Sequence, residues 1–262
     1  MAIPVAWEHR TVTAGPARIA VRLAGEGKTV LMLPGLGRSS DDLVPFAAKV
    51  IQAGYRVALP MPRGLGASDG PLTGITLHDL AADAAAVIES LGKKPALVVG
   101  QAFGNRIARV LATDRPELVE AVVLLGASGK VTGGQQYADA NARAKDPSLP
   151  RAERVKAAQL TMVGPGRDPT PWLDGWDERT TKAYLAAAAA TPIEQWWTAG
   201  NARVLIVQGL ADVMAPPANG RMLLDELGGR GKLVELEGIG HSLPVEAPDE
   251  VAEVVVDYLK SL

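Results

Sequence analysis

Apolar residues in this chain fall into short, nearly unbroken runs, separated by longer segments where they recur every three or four positions. Runs at 29–33 (TVLML), 55–59 (YRVAL), 96–99 (ALVV), 121–125 (AVVLL), 204–208 (VLIVQ) and 232–236 (KLVEL) have the length and β-branched content of buried strands. A strand that is apolar on both faces has to be covered on both faces, which is the situation of a parallel sheet between two layers of helices. Residues 17–23 alternate instead, and read as one arm of an antiparallel hairpin with the segment before them. Helical spacing predicts helices over 41–53, 77–91, 103–113, 219–227 and 248–262. In the last of these, Val251, Val254, Val255, Tyr258 and Leu259 share one face.

Residues 129–200 interrupt the strand–helix rhythm. They are rich in Ala, Pro and Gly and hold four of the five tryptophans, Trp172, Trp176, Trp196 and Trp197. The expected organisation is an α/β core over 1–129 and 201–262, with a helical cap inserted at 130–200 between two core strands. The alanine run at 186–190 is a strong helix former. At 262 residues the chain suits one such domain.

Composition narrows the chemistry. A net charge of −2 gives no electrostatic reason to expect nucleic acid or an anionic membrane as partner. The absence of cysteine excludes disulfides, thiolate metal sites and a cysteine nucleophile. With three histidines, His9, His78 and His241, far apart in sequence, no metal or other cofactor is expected. The N-terminal MAIPVAWEHRTV lacks the charged-then-apolar pattern of an export signal, and no run approaches a membrane span. The expectation is a cytoplasmic protein with a small-molecule substrate, as monomer or homodimer.

Three loops that follow predicted strands carry the candidate chemistry, since ligands of an open parallel sheet bind beyond the C-terminal strand ends. Val99-Gly100-Gln101-Ala102-Phe103-Gly104-Asn105 has the strand, tight turn and helix of a nucleophile elbow, with a glycine two residues to either side of Ala102. Alanine at that centre has nothing to attack with. Leu33-Pro34-Gly35-Leu36-Gly37 follows an earlier strand, and in an elbow arrangement the N–H groups of Leu36 and Phe103 would form an oxyanion hole. Asp212 follows one late strand and His241 the next. An aspartate accepting from imidazole Nδ1 leaves Nε2 free to act as a base.

The motifs LPGLGRSS, PRGLGASDG, VVGQAFGN, VQGLADVMAPP and GIGHSLPVEAPDEV resemble the α/β-hydrolase superfamily along essentially the whole chain, above all its small capped esterases, lactonases and C–C hydrolases. The resemblance implies an α/β-hydrolase fold and a catalytic triad with Ala102 at the nucleophile position, Asp212 and His241. It also implies a small apolar carbonyl compound as substrate. That family usually carries Ser, Asp or Cys where Ala102 stands, and His or Gly where Gln101 stands. Dehalogenase and epoxide-hydrolase chemistry needs a carboxylate at the elbow, and Ala102 supplies none.

Three readings of Ala102 stand open: an engineered Ser→Ala change, a natural enzyme using a His241–Asp212 general-base dyad, and a binding protein without turnover. Gln101, Trp172, Trp176 and Trp196 are the expected pocket residues, although Trp196 and Trp197 also suit an anchoring role between cap and core. Asn105 and Arg106 are expected to serve helix packing and a salt bridge, His78 to decorate a helix start, and His9 to be at the surface. Ser128 stands where some relatives of this superfamily carry an alternative acid, and a serine there cannot orient His241 as one.

Overall fold

The computed structural model describes residues 5–92 and 95–262. Strands β1 (Glu8–Ala14) and β2 (Ala17–Ala24) open the chain, followed by β3 (Thr29–Leu33), α1 (Val44–Gln52), β4 (Arg56–Pro60), α2 (Leu77–Ser90), β5 (Ala96–Gln101), α3 (Gly104–Asp114) and β6 (Val119–Leu125). After them come α4 (Gln135–Lys145), α5 (Arg151–Thr161) and α6 (Glu178–Ala189), then β7 (Arg203–Gly209), α7 (Ala218–Leu227), β8 (Gly231–Leu236), α8 (Leu243–Glu246) and α9 (Pro248–Lys260). All eight strands lie in one sheet, in the order β1-β2-β4-β3-β5-β6-β7-β8. The β1–β2 hairpin is antiparallel and joins β4 antiparallel; from β4 to β8 every pairing is parallel.

The sheet separates two cores, and alternate residues of each central strand feed them. Leu31, Val98, Val122, Leu124, Val204 and Ile206 face a layer containing α2, α3 and α7, with Leu80, Ile88, Val110, Leu111 and Leu223 packed against them. Val30, Met32, Leu97, Val99, Val123 and Leu205 face the other way, onto Phe46 and Val50 of α1 and Val251 and Val255 of α9. The continuous apolar runs follow from this two-sided burial.

Two elements depart from expectation. The helix expected over 41–53 splits into a 3₁₀ turn, Ser40–Leu43, and α1, because Pro45 has no N–H to donate and fits only the first turn of an α-helix. Ser39 Oγ accepts the Asp41 amide at 3.0 Å and starts that turn. β8 is the outermost strand, with one neighbour and a half-exposed pattern, so its run is not the doubly buried strand expected of it.

The segment between β6 and β7 divides in its packing. Ala144, Ala157, Ala158, Met162, Trp172 and Leu173 form a small cluster of their own. Tyr184 and Ala187 of α6, with Trp196, Trp197 and Ala199, join the core on the α2–α3 side of the sheet. No helix among the described residues is long and apolar enough to cross a membrane.

Candidate active site

Between β5 and α3 the chain reverses through Ala102, whose φ of 49° lies in the left-handed region that costs a residue with a Cβ about 1–2 kcal/mol. The surroundings leave little alternative. A Cβ on Gly100 would stand 2.5 Å from the Asn105 nitrogen, and one on Gly104 would run into the Leu33 carbonyl oxygen. The Ala102 amide donates to Leu125 O at 2.9 Å, and Asn105 Nδ2 donates to Gly126 O at 2.8 Å. Both bonds tie the turn to the end of β6.

Asp212, 2% exposed, follows β7. Its Oδ1 accepts the amides of Met214 at 2.9 Å and Ala215 at 2.8 Å, which fixes the carboxylate in place. His241 Nδ1 lies 2.9 Å from Asp212 Oδ2 and 3.1 Å from Oδ1. A carboxylate only accepts, so Nδ1 carries the proton and Nε2 presents its lone pair. The histidine loop is itself held by Glu246, whose carboxylate accepts the amides of Gly240 at 2.9 Å and Ser242 at 3.1 Å, on either side of His241. The same carboxylate takes the Gly164 amide at 2.7 Å. Burial raises the Glu246 pKa, and these three amides work against that rise.

These pieces meet at one cavity of about 170 Å³, whose walls include Gly35, Leu36, Gln101, Ala102, Phe103 and His241. The backbone amides of Leu36 and Phe103 donate to no acceptor among the described residues. Trp172 and Trp176 also line the cavity. Trp196 does not: it is 4% exposed, edge-on to Trp197 and lying against the buried Arg109, so its expected place in the pocket is corrected to one in the core. Arg106 lines the cavity and forms no salt bridge among the described residues; its Nε donates to Ser128 Oγ at 3.2 Å instead. His78 sits on the first turn of α2 with Nδ1 2.6 Å from Asp114 and Nε2 2.9 Å from Gln195, and does not line the cavity.

Sequence reading missed Arg38, Asn141, Lys145 and Glu246. Arg38 holds Asp42 through Nε at 2.6 Å and Nη2 at 3.0 Å, donates to the carbonyls of Pro171 and Asp174, and lies 4.7 Å from both the Trp172 and Trp176 rings. It thereby fastens the 170–176 turn to the loop after β3. Glu246 stands five residues after His241, inside a motif already singled out, and that spacing was its one available signal. Asn141 and Lys145 are one helical turn apart on α4, which reads in sequence as an ordinary solvated face. Among the described residues no group of three or more His, Asp or Glu side chains is placed to hold a metal ion.

The family model for the alpha/beta hydrolase fold matches residues 28–248. The BpoC protein of Mycobacterium tuberculosis is 28% identical over 256 residues, covering 91% of this chain and 96% of its own. Rhodomycin D methylesterase DnrP of Streptomyces peucetius is 27% identical over 259 residues, covering 82% and 85% respectively. The solved structure of Rv0554 from Mycobacterium tuberculosis superposes with a TM-score of 0.81 at 25% identity, covering 97% of this chain and 99% of that one.

Proposed function

The chain belongs to the alpha/beta hydrolase fold family, and from that premise we propose that it is an enzyme acting on a small carbonyl compound, with His241 as general base and no covalent nucleophile. Nε2 of His241 takes a proton from water, and the water oxygen adds to the carbonyl carbon. The oxyanion so formed is received by the amides of Leu36 and Phe103. As the tetrahedral adduct collapses, the imidazolium returns its proton to the leaving group. Asp212 keeps the imidazole in the one tautomer this sequence requires and stabilises the cation midway. General-base assistance of this kind supplies on the order of 10²–10⁴ in rate, and each oxyanion donor about 10²–10³. Helices α4, α5 and α6, over 130–200, act in this reading as the cap of the site.

The observation that carries the proposal is the His241–Asp212 pair, closed at 2.9 Å, with His241 lining the same cavity as Ala102. A second reading has its own support. Ala102 keeps a φ of 49° between two packed glycines, a shape suited to presenting a nucleophile. On that reading the chain is a serine hydrolase lacking its serine.

Hydrolysis of 4-nitrophenyl acetate and butyrate by the chain, by Ala102→Ser, and by His241→Ala in each background decides between them. The proposal expects the unsubstituted chain to lose at least about a hundredfold in rate with His241→Ala. It expects no acyl-enzyme burst from Ala102→Ser. A His241-dependent gain of about a thousandfold with a burst in Ala102→Ser establishes the second reading. Indifference of both backgrounds to His241→Ala overturns both and leaves a binding protein.

A further inference from the structure

The cavity is lined by three cationic side chains, Arg38, Arg106 and Lys145, and by no carboxylate. Arg38 already has its counter-ion in Asp42. The other two have none among the described residues. Among the described residues the Arg106 side chain makes one hydrogen bond, to Ser128 Oγ, and its guanidinium stands 5.6 Å from the Phe103 ring and 5.9 Å from the Trp196 ring. Lys145 Nζ lies 3.8 Å from the centre of the Trp176 ring, and the neighbouring charge that acts on it, Arg38, repels it.

Behind Arg106 stands a third uncompensated cation. Arg109 is wholly buried in α3 and donates only to neutral acceptors: Asn105 O and Oδ1, Trp197 O and Ser128 O. Burial lowers the pKa of Arg106 and of Arg109, and brings Lys145 down to about 8. Cations withdrawn from water without an opposing charge are costly to keep. Here Arg106 and Lys145 line the same cavity, and Arg109 is buried one turn along α3 from Arg106. One neutral acceptor of the cavity lining is also unfilled and has room for a ligand's donor. Asn141, one turn before Lys145, has its Oδ1 buried without a partner.

We propose that the substrate of this site carries a carboxylate beside its reacting carbonyl, and that Arg106 and Lys145 hold that carboxylate while the carbonyl faces His241. This names a substrate class for the reaction proposed above and rests on that reading for its carbonyl half. The carboxylate half stands on the cations alone. It replaces the apolar substrate expected from sequence: the tryptophans Trp172 and Trp176 supply the walls, and the charge supplies the selection. An anion placed between a guanidinium and an ammonium gains charge-assisted hydrogen bonds in a partly desolvated space, where they are strongest.

Binding is measured in the His241→Ala background, where the proposed hydrolysis is disabled, by titration calorimetry with monomethyl glutarate and its neutral counterpart dimethyl glutarate. The monoanion is expected to bind at least tenfold more tightly than the diester. Lys145→Met and Arg106→Met should each weaken the monoanion about tenfold or more and leave the diester unchanged, whereas Lys145→Arg and Arg106→Lys should stay within a few-fold of the parent. Equal affinity for the two probes overturns the proposal, as does monoanion binding that ignores both Met variants. If burial makes Arg106→Met unstable, Lys145→Met and the charge-keeping pair still decide. The preference for the monoanion is thus read with the proposed base removed. A protein that shows the preference but no His241-dependent hydrolysis therefore refutes the reaction and not the anion site.

Discussion

At the scale of single residues, Glu246 tests how much of the histidine's placement is local. Its carboxylate takes three backbone amides, two of them flanking His241. Glu246→Ala leaves those donors without an acceptor, at roughly 1–3 kcal/mol for a buried unsatisfied group. The expected outcome is a fall in unfolding free energy of about 3 kcal/mol by urea titration, together with a lowered kcat and a nearly unchanged KM. An unchanged kcat at reduced stability would make Glu246 structural alone. Lys145 yields a prediction in pH. Its ammonium, lowered to about 8 by burial and then by Arg38, is charged below that value and neutral above it. Other charged groups bordering its outer side are Asp146, Arg154, Asp174 and Glu178. Monoanion affinity should therefore be full near pH 7 and decline towards pH 9, while Lys145→Met gives a flat profile over the same range.

At the scale of elements, the first turn of α2, the end of α3 and the Ile193–Gln195 turn meet at His78. The hydrogen bonds to Asp114 and then to Gln195 raise the His78 pKa above 6.5. A raised folded-state value means that the protonated ring favours the folded chain. That stabilisation is complete below the unfolded value near 6.5 and disappears as pH climbs through the raised one. Melting curves of the chain and of His78→Gln should thus differ most in mildly acidic buffer and converge in alkaline buffer. Parallel curves at every pH would show that the ring contributes packing and no charge. The ring is well exposed, so the effect is modest. Sequence placed this histidine on α2 but gave no hint of its partners, which lie 36 and 117 residues away.

At the scale of the molecule, stability and the proposed chemistry are assigned to different parts. The two cores beside the sheet hold the fold, and the loops beyond the strand ends hold the candidate site. Phe46, fully buried between α1 and the sheet, belongs to the first kind. Phe46→Ala should cost roughly 3–5 kcal/mol of unfolding free energy. Below its own melting transition, the variant should still prefer monomethyl glutarate to the diester; loss of that preference would mean that the two parts are not separable. The same division explains what could be read in advance. Central strands such as β3 and β7 were legible because burial on both faces leaves unbroken apolar runs, and β8 was misjudged because an edge strand can carry a similar run half-exposed. Asp212, His241 and the elbow were legible through their order along the chain and the glycines around Ala102. The cations were not. A charged residue on a helix looks solvated in sequence, and nothing local reveals that Arg106 and Lys145 face one cavity without a counter-ion. The tryptophans carried the right type of signal and too little geometry, since one pair packs against Arg38 at the cavity and the other against Arg109 in the core.

The elbow owes its shape to its frame. Gly100, Gly104 and the bonds from Ala102 N and Asn105 Nδ2 fix the backbone, and the side chain at position 102 contributes nothing to it but a methyl group. Position 102 is therefore an address whose occupant can change while the scaffold stays as it is. Every alanine codon lies a single base from a serine codon, and each has one neighbour among the codons for aspartate or glutamate. In mutational terms position 102 stands one base change from a side chain that can attack, with the turn that would present it already built.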